Sequence, residues 1–272
     1  MSKCAALVSQ SSILWAVLMS IAPGLVYAGA NEDRTVQQST LVLQQLESIP
    51  LQGIPAGLLQ NAEGIAIFPD VVKIGFVLAG RHGHGVLLVR QPDGTWSNPV
   101  FLQLTGGGIG WQAGVQATDV VLVLKTPRSV AGILNGRRFT LGGDASVAAG
   151  PVGREASAAT DLQLQAEIYS YSRSRGLFAG VSLQGTVISV DNMANMNFYN
   201  LPGILVSQIL GNNQLAAPAS ATQLRNQVAQ SARARTELVG GAPQTAVGQA
   251  PVLQSNAIPG TVPVPVNELQ QR

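Results

Sequence analysis

The sequence predicts an α+β domain: a glycine-rich, strongly curved antiparallel β-sheet, barrel- or sandwich-like, flanked by helices near both ends. Three observations predict it. From Ile65 to Thr126 the apolar runs are short, rich in Val, Ile and Leu, and separated by turn residues, as antiparallel strands are. The chain holds 30 glycines, several inside those runs, where they permit bends, bulges and close backbone approach. Segments with helical spacing and recognisable caps lie toward the two ends of the body.

Taken in order, Asn31 caps a helix whose first turn carries Glu32 and Asp33. Its apolar side is Val36, Leu43 and Leu46, and Pro50 lies beyond its end. A second helix begins at Pro55 and stops at Gly64 (PAGLLQNAEG), with proline at its start and glycine at its end. The strand runs follow as IAIF, KIGFVLAG, HGVLLVRQ, VFLQL, GIGWQAGVQ and VVLVLKT. Pro92-Asp93-Gly94 is a turn, because proline presets one dihedral and glycine accepts a positive one. After Pro127 a helix (PRSVAGILNG) crosses to a strand pair, RRFTLGG and ASVAAG, and the segment from Gly150 to Gly185 comes next. A helix over PGILVSQIL closes the body before Gly211.

Both ends read differently from the body. Ile13 to Ala22 is an apolar run shorter than the roughly 20 residues that span a bilayer. Pro23 and Gly24 break it, and Val26 and Ala28 offer small side chains at the positions a signal peptidase reads, so residues 1–28 are expected to be a cleaved secretory signal. The one cysteine, Cys4, lies inside that segment, so the exported chain would hold no disulfide. Residues 29–211 form the expected domain. Residues 212–272 are rich in Ala, Gln and Pro and read as a low-complexity, disordered tail, in which Ala221–Leu238 is a weak or partner-dependent helix.

Composition and motifs exclude several chemistries. A net charge of +2 argues against bulk electrostatic binding to nucleic acid. The two histidines, His82 and His84, share a strand face in RHGHG. Two imidazoles can begin a metal site, but a third ligand such as Asp144 or Asp161 would have to come from afar, so an exposed hairpin tip is expected and no metal. Gly180-Val-Ser182-Leu-Gln-Gly185 has one residue too many for a nucleophile elbow. Gly108-Ile-Gly110-Trp-Gln-Ala113 matches a dinucleotide fingerprint loosely, but strand follows it and no acid lies near position 130. No cofactor and no catalytic residue is expected.

Basic residues recur at Arg128, Arg137, Arg138, Arg154, Arg173 and Arg175. In YSYSRSRG alternate residues share a face, which places Tyr169, Tyr171, Arg173 and Arg175 on one side and three serines on the other. Guanidinium groups beside aromatic rings suit phosphate head groups at a wet interface. With Arg154, these are the candidate lipid-binding residues.

Five phrases carry a family resemblance: LLQNAEGIAIFPDVVKIGFVLAG, GVLLVRQPDGTWSNPVFLQL, GGGIGWQAGVQATDVVLVL, LGGDASVAAGPVGREA and YSYSRSRGLFAGVSLQGTVISVDNMANMNFYN. In this order and spacing, from about Gly53 to Asn200, the chain resembles the SYLF domain, as a bacterial exported member. The resemblance implies a non-enzymatic domain whose eukaryotic members bind phosphoinositide-containing membranes and in some cases bind actin. Those members use a basic amphipathic N-terminal helix, whereas the helix here opens on Glu32 and Asp33.

Two readings stand. One is an exported lipid-binding domain of the cell envelope, periplasmic or extracellular, holding an anionic phospholipid or phosphoinositide-like head group at the membrane surface. The other is a structural or scaffolding protein that recruits a protein partner through its Pro/Gln-rich tail.

Overall fold

The computed structural model describes residues 29–47, 54–75, 78–109, 114–135, 138–152, 165–174, 177–211 and 215–240. The expected signal segment and residues 241–272 lie outside them. Helices α1 (Ala30–Glu47) and α2 (Ala56–Gln60) lead into four long strands, β1 (Gly64–Gly75), β2 (Leu78–Val89), β3 (Val100–Ile109) and β4 (Gly114–Leu124). Next come α3 (Pro127–Leu134), β5 (Phe139–Thr140), β6 (Val147–Ala149), β7 (Ile168–Ser174), β8 (Leu177–Gly180) and β9 (Val187–Val190). Helices α4 (Asn192–Tyr199), α5 (Val206–Gly211) and α6 (Ala219–Gly240) complete the described chain.

The strands form one sheet in the order β5-β9-β3-β2-β1-β4-β7-β6, with β8 paired to β7. β1, β2 and β3 are consecutive antiparallel neighbours, and β4 returns to the free edge of β1, which is a Greek key. Every residue from Ile65 to Phe68 and from Val120 to Leu124 is buried. Such unbroken runs mean that both faces are covered. One face lies under α1, which touches β1 and β2, and α4, which touches β3, with α6 packed on α1. The other face encloses α3, which touches both β4 and β9 although β1, β2 and β3 stand between them in the sheet.

The sheet therefore curls around α3, and its two edges draw together. Thr140 ends β5 at one edge and Val147 opens β6 at the other, and the chain between them can reach at most about 25 Å. Leu141 and Ala145 form a bridge in that connection, Gly142 N donates to Ala145 O at 2.9 Å, and Leu141 N donates to Thr186 O at 2.8 Å. RRFTLGG and ASVAAG are thus not a strand pair, as the sequence suggests; β5 pairs with β9, and β6 runs parallel to β7.

Curvature needs close backbone approach and a bend. A Cβ on Gly85 would lie 2.3 Å from the Ile67 carbonyl oxygen and 2.5 Å from the Phe68 ring, and one on Gly83 would lie 2.8 Å from Val71. The bend is a bulge in β1, where Pro69 and Asp70 together oppose Asp119 of β4. Asp70 takes φ +50°, a left-handed conformation that Asp tolerates. The Pro-Asp-Gly turn forms as expected, with Gly94 at φ +80°.

The helices differ from expectation in two places. Asn192–Tyr199, not anticipated as a helix, is capped by Asp191, whose side chain accepts from Ala194 N at 3.0 Å. The helix expected over PGILVSQIL is confined to Val206–Gly211. The larger correction is α6. Ala221, Leu224 and Val228 are fully buried, and Ser220 donates to Asp33 of α1, so the folded body runs past Gly211 into α6 as far as Ala232. Ala221, Leu224, Val228 and Ala232 fall on one stripe, and beside them the buried Ser231 donates to Gln227 O at 2.9 Å.

Gly85→Ala is expected to lower the unfolding free energy by about 3 kcal/mol, because the new methyl meets a carbonyl that cannot move. Gly107→Ala, with open space at its Cβ, should change it by less than about 0.5 kcal/mol. Leu224→Ala should cost about 3 kcal/mol. Urea titrations of the three variants check these values, and a neutral Leu224→Ala would restore the tail boundary at Asn212.

Candidate functional site

Strand β7 presents Tyr169, Tyr171 and Arg173 on one face, as alternation requires, but that face is not a surface. Tyr169 and Tyr171 are buried, with the Tyr171 ring packed where a Cβ on Gly150 would stand. Tyr171 Oη donates to Pro151 O at 3.5 Å, and Tyr169 Oη accepts from Ala166 N at 3.0 Å. Burial pushes the phenols of Tyr169, Tyr171 and Tyr199 up from their ordinary range, for Tyr171 with a further contribution from Tyr169. Arg154 and Arg175 lie outside the described residues.

Arg173 is held by Asp119, a residue the sequence reading did not single out. Its Nε donates to Asp119 Oδ2 at 2.7 Å and its Nη2 lies 2.5 Å from the same oxygen, while Asp119 Oδ1 accepts from Asp70 N at 3.1 Å. Asp70 Oδ2 in turn accepts from Gln38 Nε2 of α1 at 3.1 Å. One carboxylate, 8% exposed, thus ties the bulge of β1 and its α1 contact to β7. The arginine placed at a lipid surface by sequence serves the fold.

Unpaired cations stand elsewhere. At the far end of β1 and β2, Lys73 and Arg81 are cross-strand partners on one face. Like charges so placed repel. Lys73 is exposed, Arg81 is half-buried, and desolvation lowers the Arg81 pKa, so its charge is partly removed from water with no acidic partner among the described residues. On the opposite face of the same strand end, Ile74 pairs with Val115 of β4, and both are exposed, 58% and 73%. A second basic cleft, of about 390 Å³, lies against α3 and is lined by Arg128, Asn135, Arg138 and Asp144. The Asp144 carboxylate there accepts from Thr140 N at 2.6 Å.

His82 and His84 sit within β2, not at a hairpin tip, and both are exposed. Among the described residues no group of three or more His, Cys, Asp or Glu is placed to hold a metal, and no helix is long and apolar enough to cross a membrane. GGGIG belongs to the end of β3 as far as Ile109, where strand pairing replaces the strand-turn-helix a dinucleotide site needs.

Fold and surface define a curled-sheet α+β domain with a basic and apolar strand end. Residues 105–231, from β3 into α6, match the family described as Ysc84, Las17-binding protein actin regulator. SH3 domain-containing YSC84-like protein 1 of Bos taurus is 40% identical over 146 residues, which cover 54% of this chain and 42% of that protein. LAS seventeen-binding protein 3 of Saccharomyces cerevisiae is 43% identical over 150 residues, 54% of this chain and 32% of that protein. An SH3 domain-containing protein of Schizosaccharomyces pombe is 40% identical over 173 residues, 63% and 40%. Residues 105–231 carry a Ysc84/SYLF family match, and the chain spans less than half the length of these relatives.

Two outcomes follow from the β7 geometry. Asp119→Ala leaves the Arg173 guanidinium and the Asp70 N–H without their partner and should destabilise the fold by about 3 kcal/mol, read by urea titration. Buried phenols favour the folded state fully below the unfolded Tyr pKa of about 10. That stability falls as pH rises above 10, because the unfolded chain releases protons the folded chain keeps. Tyrosinate absorbance at pH 11 should show Tyr171 and Tyr199 still protonated in the folded chain; ionisation of both near pH 10 without unfolding would contradict their burial.

Proposed function

We propose that this chain is a non-enzymatic, exported lipid-binding domain of the cell envelope, bound peripherally to an anionic membrane. The observation that carries this reading is the β1-β2 strand end. A half-buried guanidinium facing a lysine, with no acid among the described residues to neutralise either, is a seat for a phosphate head group. Exposed Ile74 and Val115 beside it suit the boundary between head groups and acyl chains, where apolar side chains enter and cations meet lipid phosphate. The Ysc84/SYLF family supports the lipid reading. The acidic first turn of α1 supports moving the contact away from the N-terminal helix, since Glu32 accepts from Asn197 and Asp33 from Ser220 within the body.

A second reading rests on the relatives' names. The family description and the yeast relative's name both speak of binding Las17, and a protein partner for this chain is the counterpart. Recruitment would then fall to residues 241–272 beyond α6, with the curled sheet as a scaffold.

Vesicle co-sedimentation separates them. The full chain should bind phosphatidylcholine vesicles containing phosphatidylglycerol and not phosphatidylcholine alone. Lys73→Glu with Arg81→Glu should weaken binding at least roughly tenfold, at about 1 kcal/mol per cation near the surface, and Arg128→Glu with Arg138→Glu serves as the charge-matched control. Equal binding by the wild type and the Lys73/Arg81 variant, or loss only in the control, would remove the assignment. Removal of residues 241–272 should leave vesicle binding intact.

A further inference from the structure

We propose that His82 and His84 form an open binding site for a divalent transition-metal ion of the Zn(II) type, with Asp191 as its outer-shell carboxylate. The two imidazoles are residues i and i+2 of β2, so they project from the same face, and both are exposed. Their Nε2 atoms converge to 3.3 Å. An ion about 2.05 Å from each nitrogen would subtend them at roughly 105–110°, the tetrahedral angle. With both rings aimed at that ion, their centroids would lie about 5.1 Å apart. They lie 5.0 Å apart with the planes at 88°, so the rings already hold the orientation of a bound pair.

The tautomer agrees. His84 Nδ1 is 3.4 Å from Asp191 Oδ2, which keeps the proton on Nδ1 and leaves the Nε2 lone pair free for an ion. Carboxylates in this position orient metal-bound imidazoles and raise their basicity. Asp191 is itself fixed, because its other oxygen Oδ1 caps α4 at Ala194 N. The cross-strand neighbours on β3 are Thr105 and Gln103 and that of His82 on β1 is Val72, all neutral, and no third His, Cys, Asp or Glu among the described residues is placed to ligate, which leaves the remaining coordination positions to water or an incoming ligand. Two neutral imidazoles with no thiolate select Zn(II), Ni(II) or Cu(II) over Ca(II) and Mg(II). Without an ion, a proton on His82 Nε2 closes the same contact.

Isothermal titration of the full chain with Zn(II), in a Cys4→Ser background to remove the one thiol, tests the site. One equivalent should bind in the micromolar range, with Mg(II) silent. His82→Ala and His84→Ala should each weaken binding at least tenfold, and His82→Gln and His84→Gln repeat the test without losing side-chain volume. Asp191→Asn keeps a capping side chain but removes the carboxylate, and should weaken binding about tenfold. Imidazole ¹⁵N spectra should show both Nε2 resonances shifting with the ion. No binding by the parent protein, or undiminished binding in the His82→Ala/His84→Ala double variant, would overturn the proposal.

Discussion

A sheet that is apolar on both faces has to be covered twice, and here one chain supplies both covers. The helices α1, α4 and α6 lie on the outside, and α3 packs its buried side, Ser129, Val130 and Ile133, against the inner face. A flat sheet of this width would leave most of its inner face uncovered by an eight-residue helix. Curling solves the problem, and three local features make it attainable: the Pro69-Asp70 bulge, the missing side chains at Gly83 and Gly85, and a connection from β5 to β6 short enough to hold the edges together. Asp119 secures the bulge by accepting the amide that the extra residue displaces from the ladder.

The strand cores IAIF, VFLQL and VVLVL are legible in the sequence, whereas KIGFVLAG straddles the end of β1 and the start of β2, and GIGWQAGVQ the end of β3 and the start of β4. The curvature is legible too, from glycines inside those runs. The short strands are not. β5, β6 and β9 have two to four residues each, and β5 and β6 find partners distant in sequence, so their pairing depends on the closed sheet. α6 is misread because only one narrow stripe is apolar, and its burial depends on α1 nearly two hundred residues earlier. Ser220 to Asp33 and Gln44 to Gln227 mark that contact.

Both tyrosines of the predicted lipid face are buried, and Arg154 and Arg175 lie outside the described residues. Alternation correctly sets Tyr169, Tyr171 and Arg173 on one face, but period 2 does not say whether that face meets water. The signal that could have found Asp119 is present: a lone acid opening the run Val120–Leu124, opposite a Pro-Asp pair inside a strand where proline is tolerated only at edges or bulges. Lys73 and Arg81 are legible only once the β1-β2 register is known, since their repulsion arises from cross-strand pairing. The Ysc84/SYLF family match over residues 105–231 leaves the surface chemistry to the chain's own residues.

Closure of the sheet is the claim on which the rest stands, and native-state hydrogen exchange tests it most directly. The Leu141–Ala145 bridge joins the end of β5 to the start of β6, and in it the Gly142 amide donates to Ala145 O at 2.9 Å. The Gly142 amide should exchange only through global unfolding, with protection matching that of Ile65 and Val121 in the central strands. Exchange of Gly142 at the rate of exposed turn amides, with β1 and β4 still protected, would mean that the edges stand open.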